Sequence, residues 1–226
     1  MPDDGQPEQQ LPYTLLGLQT LKSHRALVGV DEVLPGFYND PRDKCEPIGL
    51  LRSDSYNLRE RQVLQNEYKV AILCEYAEIW RVIWTEGRPL PKMVEGGVLV
   101  GNQVREPRYY GYSVGKWVND TLVVDTLGTM GDDRTCMDPT SRRVSDRLHV
   151  IEELHRVNRD RRELTVTIDD PKMNTRPWVA RTSFPMKLEG PPRDVMEMYC
   201  PPFELEHYNK VVGNPASGED SHAPER

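Results

Sequence analysis

Apolar and polar side chains alternate through most of the chain, and only one short stretch repeats them at helical spacing. The run Leu164-Thr165-Val166-Thr167-Ile168-Asp169 alternates without a break, which predicts a strand with one buried face. In residues 147–157, Leu148, Val150 and Leu154 fall on one face, and Asp146 and Glu152 fall on the same face. These two segments predict a hairpin over residues 158–162. A second hairpin joins 111–116 to 121–126 over Val118-Asn119-Asp120, whose Asn and Asp tolerate left-handed backbone angles. Residues 68–76 and 79–85 read as strands, the latter ended by Glu86-Gly87-Arg88-Pro89. Residues 179–188 follow, and 196–200 add a final strand. Helical spacing is confined to 13–23, through Leu15, Leu16, Leu18 and Leu21. Residues 31–43, with Pro35 and Pro41, read as a loop.

Nineteen Pro and 16 Gly punctuate the chain, leaving no room for crossover helices between the strands. The expected fold is therefore mainly β, an antiparallel meander with a short N-terminal helix. Its inward positions mix apolar and charged groups, which suits a closed β-barrel holding one small ligand. A β-sandwich is the rival. The expected organisation is an N-terminal tail and helix over 1–36, one barrel domain over 37–208 and a disordered tail over 209–226.

With 226 residues the chain can bury one sizeable core. A net charge of -7 and a pI near 5.3 argue against a nucleic-acid partner. The Arg-rich stretch 156–162 is broken by Asp160 and reads as a solvated turn. No apolar stretch is long enough to span a membrane. Met1 is followed by acidic and polar residues, so a cytoplasmic location is expected. Cys45, Cys74, Cys136 and Cys200 form no CxxC pair, and the default there is four reduced thiols. A Cys45–Cys200 bridge is conceivable in a secreted relative, because both residues sit in Pro-flanked segments.

Several motifs then agree in order. WTEGRPLP (84–91), GYSVGKW followed by DTLVVDT (111–126), TIDDPKMNTRPW (167–178) and NDPRDKCEPIG (39–49) resemble a large family of uncharacterised bacterial proteins. Its corresponding stretches read as a TDGRPHP-like turn, a GYSVGxWxGDTLVVES-like hairpin, a TxxDPxxYTxPW-like segment and a DPxxxCxPxG-like opening. The resemblance covers about residues 37–200. It implies a lipocalin-like (calycin-like) barrel, a fold that serves carriers of apolar molecules as well as enzymes that cyclise, isomerise or cleave them. The chain departs from the family at Glu78 and Val144, where a His is usual, and at Met173, where an aromatic is usual. Many relatives also begin with a secretion signal. These departures imply a branch with its own pocket chemistry.

The run 74–88 concentrates two Trp, one Tyr, two Arg and three Glu among apolar residues, as the wall of a binding cavity would. Asp146, Glu152, Glu75 and Arg81 are the candidate catalytic residues. Carboxylates among aliphatics rise in pKa and suit acid–base work, and the planar fork of Arg81 suits a developing anion. The alternative is that the acids pair with Arg81 or Arg88 and brace the wall. Trp84, Tyr76, Tyr112, Arg88 and His149 are the candidate substrate-binding residues. Tyr76, Trp80 and Trp84 are pocket wall or outer packing. If the lumen lies on the other face, His149 and Glu153 become the inward pair. Asp132, Asp133 and Arg134 sit in the loop 128–144, which is long enough to act as a lid or to carry solvated charge.

No nucleophile elbow, phosphate loop, dinucleotide fingerprint or metal-binding His pattern is present. The expectation is a cofactor-free lyase, isomerase or cyclase acting on a small apolar or aromatic substrate. The alternative is a non-catalytic carrier or sensor of a lipophilic molecule. Neither a nucleic acid nor a membrane is an expected partner, and a homodimer is left open.

Overall fold

The computed structural model describes residues 11–24, 42, 45–55, 59–76, 79–131, 135–138, 142–190, 193–208 and 210. The expected tails, most of the loop 31–43, Glu78, and Asp132, Asp133 and Arg134 of the expected lid lie outside the described residues.

The protein is mainly β, built on a curled, half-barrel sheet of eight strands. Strands β1 (Arg61–Gln65), β2 (Lys69–Cys74) and β3 (Trp80–Trp84) pair antiparallel in sequence order. Next come β4 (Lys92–Val94), β5 (Gly97–Val100) and β6 (Gln103–Arg105), which form a separate three-stranded sheet. The main sheet resumes with β7 (Tyr112–Val118), β8 (Thr121–Leu127), β9 (His149–Arg156), β10 (Arg161–Asp169) and β11 (Trp178–Lys187), all antiparallel. The order is β1-β2-β3-β7-β8-β9-β10-β11. Among the described residues three helices accompany it: α1 (Leu15–His24), α2 (Leu50–Ser55) and α3 (Pro202–Tyr208).

Two features correct the expected closed antiparallel meander. First, β3 and β7 pair parallel, through Ile83↔Ser113 and Trp84↔Val114. The intervening chain forms the small sheet, and it returns β7 to the same end of the sheet from which β3 starts, so an antiparallel hairpin is not made. Second, β1 and β11 are the two ends of the sheet and do not pair with each other among the described residues. Residues 196–200 form no strand, only an isolated bridge of Met198 to Tyr76.

Alternation decides the inner face. Val70 and Ile72 of β2, Ile83 of β3, Leu122 and Val124 of β8, Val150 of β9, and Leu164, Val166 and Ile168 of β10 are all buried. They form two apolar clusters, joined through the flanking Tyr110 and Leu154. The short helix α2 is the plug between them. Leu50 and Leu51 enter one cluster, and Ile48, just before the helix, enters the other. Gly49 makes this entry tight: its φ of 78° is left-handed, and a Cβ there would meet Thr135 at 2.8 Å.

The far end of the core is fastened by Asp170, which is 1% exposed. Its carboxylate accepts from the Ser145 amide at 2.7 Å and the Ser145 hydroxyl at 2.5 Å, and from the Met173 amide at 3.3 Å. Replacing Asp170 by Ala would strand these buried donors. The expected loss is roughly 2–3 kcal/mol of unfolding free energy, measured by urea denaturation. A loss under about 0.5 kcal/mol, the scatter of surface substitutions, would show that the carboxylate is not a fastener.

Candidate functional site

Arg81 is the centre of the inner face. Its place in β3, opposite Ile72, turns it inward among aliphatics. Its Nη1 donates to Glu152 Oε1 at 2.9 Å, its Nη2 donates to Glu152 Oε2, and Nη2 also reaches the Thr126 hydroxyl at 2.8 Å. Its Nε donates to the Ser113 hydroxyl at 3.1 Å, and Ser113 and Thr126 bond each other at 2.9 Å. From α2, Asp54 brings a second carboxylate to 3.5 Å from Arg81. Arg61 of β1 completes the cluster, donating to Asp54 at 2.5 Å and to the Ser53 carbonyl at 2.5 Å.

Two guanidiniums and two carboxylates therefore share one buried chamber, with formal charges that cancel. Burial alone works against the charge of Arg81, yet Glu152 and Asp54 hold its pKa above the ordinary arginine value. Burial pushes Glu152 above the usual carboxylate range, opposed by Arg81. Asp54 Oδ2 has no hydrogen-bond partner among the described residues. Asp54 is also where the cluster meets open space. It lines a slot of about 480 Å³ between the two edge strands, with Arg61 and Gln62 on one side and Phe184, Pro185 and Met186 on the other. Arg193 crosses near this slot to Glu60 at 2.9 Å.

A second space opens on the inner face beside the β7–β8 turn. This cup of about 460 Å³ is lined by Val63, Val70, Ile72, Leu122 and Leu154, with Trp117 at its wall. Gln65, Asn119, Asp120, Arg156 and Arg162 supply the polar part of its lining. Residues 156–162 are exposed, as a solvated stretch should be, but they are not all turn: Arg156 ends β9 and Arg162 lies in β10, directly opposite each other. A third, smaller space of about 350 Å³ is walled by Tyr76, Ile79, Trp80, Tyr110 and the Cys45–Cys200 disulfide. The disulfide replaces the expectation of four reduced thiols. Cys74 and Cys136 remain free and buried, and burial pushes the Cys74 thiol up.

Of the residues singled out from sequence, the structure brings Arg81 and Glu152 into one chamber. Asp146 is not with them. It lies before β9 starts, 44% exposed, and takes Lys172 at 2.6 Å. The expected shared face held from Leu148 to Leu154 but failed at Asp146, because the chain turns there instead of running straight. Glu75 is buried but follows the end of β2, on the opposite parity to Cys74, and its carboxylate is not part of the ion cluster. Trp84 and Arg88 lie away from the chamber, the guanidinium stacking over the indole at 3.6 Å. Tyr112 donates to the Glu106 carbonyl at 2.9 Å, beneath Arg108. His149 is on the outer face, 2.9 Å from Asp125. Trp80, 69% exposed, and Tyr76 flank the disulfide space. The shared cavity expected for Glu75, Arg81, Asp146 and Glu152, walled by Trp84 and Tyr112, is thus not formed.

Asp54, Arg61, Arg156 and Arg162 were missed. The signal for Asp54 is the demand of a buried Arg81 for countercharge, which an apolar Leu50-Leu51 followed by an acid one turn later could have met. Among the described residues no group of three or more His, Cys, Asp or Glu could hold a metal ion, and no helix is long and apolar enough to cross a membrane. Comparison with family models, with curated proteins and with solved structures returns no match.

Proposed function

We propose that the protein binds a lipophilic small molecule in the inner-face cup, using the curled sheet as a lipocalin-like barrel uses its lumen. The supporting observation is the cup itself. Its floor of Val63, Val70, Ile72, Leu122 and Leu154 comes from β1, β2, β8 and β9, and its volume lies within the usual range for small-molecule sites. No carboxylate of the buried ion cluster lines it. A carrier or sensor needs a shaped apolar space and no proton-handling group, so this reading is favoured over catalysis. The Cys45–Cys200 bond bears on location, because disulfides persist in oxidising compartments, which weighs against the expected cytoplasm.

Catalysis stays as the second reading, on one observation. Asp54, whose Oδ2 accepts no hydrogen bond but lies 3.5 Å from Arg81, lines the edge-strand slot beside Leu164, Phe184 and Met186. A cofactor-free lyase, isomerase or cyclase would use it as the acid or base, with Arg61 as countercharge and Arg81–Glu152 behind it.

Calorimetric titration with uncharged apolar probes, decanol and naphthalene, tests the cup and separates it from the slot. Wild-type protein is expected to bind at least one of them. Val63→Trp, which fills the cup from an edge strand, should weaken that binding by about tenfold or more with an unchanged circular-dichroism spectrum. Failure of both probes to bind, or equal binding by the variant, rejects the cup as the site. If binding survives Val63→Trp but is lost in Asp54→Asn, the slot and the catalytic reading gain.

A further inference from the structure

We infer that the cup selects an amphiphilic carboxylate, an apolar tail ending in one carboxyl group, and that Arg156 and Arg162 form the clamp for that group. The inference rests on the cup being the ligand site and adds the chemical class of the ligand.

Arg156 and Arg162 are directly opposed across β9 and β10, and both line the cup. Like charges in directly opposed positions destabilise a sheet pair. Among the described residues Arg162 has no ion pair or side-chain hydrogen bond, and Arg156 uses only its Nε, on the Asn158 carbonyl at 3.3 Å. The guanidinium forks are thus largely unspent. The neighbouring arginine on the outer face differs: Arg161 is satisfied by Glu163 at 3.0 Å.

The lining holds one countercharge, Asp120, against two guanidiniums. The cup therefore carries a local excess of positive charge in a chain whose net charge is -7. An anion seated between the two forks would relieve their repulsion and would accept paired N–H bonds, the geometry in which guanidinium recognises carboxylate or phosphate. Apolar side chains begin immediately beside it. Leu154 is two residues before Arg156 on the same face, and Leu122 sits opposite Leu154. Trp117, opposite Leu122, supplies a flat wall. Head and tail contacts are thus placed in sequence along one path. A space of about 460 Å³ accommodates a single chain or a fused aromatic acid.

The test compares decanoate, decanol and decyl phosphate on the full chain by calorimetry, at concentrations below micelle formation. Decanoate is expected to bind at least tenfold tighter than decanol. In Arg156→Gln/Arg162→Gln that ratio should fall toward one, and raised salt should reduce it in wild type. If decanoate and decanol bind wild type equally, the clamp is wrong while the apolar cup stands. If the ratio is unchanged in the double variant, the anion is held elsewhere and the inference is overturned. Decyl phosphate binding more than tenfold tighter than decanoate would replace the carboxylate by a phosphate monoester. Binding of none of the three rejects the cup and the clamp together. A circular-dichroism melt of the double variant, expected to match or exceed wild type because the repulsion is removed, separates loss of binding from loss of fold.

Discussion

Replacing Arg81 by Met is expected to lower the unfolding free energy by about 3–5 kcal/mol, the cost of leaving a buried charge without its partner. The carboxylate of Glu152, 3% exposed, would lose both guanidinium bonds and keep only the more distant charge of Arg61 in its favour. Asp54 would keep Arg61. Glu152→Gln should cost a similar amount, since Arg81 would then rely on Asp54 at 3.5 Å. The double variant Arg81→Met/Glu152→Gln should lose clearly less than the sum, because the second change removes the charge that the first one orphaned. Urea denaturation of the four proteins gives the coupling energy directly. If each single change costs under about 1 kcal/mol, the cluster is water-accessible and its bracing role is wrong.

The second large effect is expected at the disulfide. Cys45 and Cys200 are 155 residues apart in sequence, so the bond closes most of the domain into one loop. Replacing both by Ser should cost about 2–5 kcal/mol, chiefly by freeing the unfolded chain. Thermal melts with and without dithiothreitol provide the check. Wild type should fall to the level of the double-Ser variant when reduced, and that variant should not respond to reductant. Equal melts of oxidised and reduced wild type would show that the bond is not a stabilising link.

The hairpins were legible because two local signals coincided at each: strict alternation in the strands and turn-forming residues between them. Asn119 has the φ of 53° that its side chain makes tolerable. The strand β1, read as RQVLQ, was not legible, because an edge strand with three polar side chains has no apolar rhythm to detect. The strands β4 and β6 are three residues each, shorter than any period can show. Helix α2 has six residues and places Leu50 and Leu51 side by side, so no helical spacing emerges. The inward Arg81–Glu152 pair was half legible. Strand parity put Glu152 among Leu148, Val150 and Leu154, but nothing local told Arg81 which acid would meet it. Asp146 was misplaced for the reverse reason: parity was carried past the point where the strand begins. The Arg156–Arg162 pair was hidden because its meaning lies in register across two strands.

The parallel junction of β3 and β7 has a consequence for how the molecule holds together. Only Ile83↔Ser113 and Trp84↔Val114 are in register there, whereas β7 and β8 match over seven pairs. Such a junction is a natural boundary between cooperative folding units, with β1–β3 on one side and β7–β11 on the other. Arg81 reaches across that boundary from β3 to Ser113 in β7, Thr126 in β8 and Glu152 in β9. Helix α2 grips both sides as well, through Asp54 on Arg61 and Arg81 and through Leu50 and Leu51 in the opposite cluster. The buried charges thus act as a rivet through a seam. They tie the two halves of the sheet into one body, which is expected to melt as a unit, and they hold β1 and β2 as one wall of the cup.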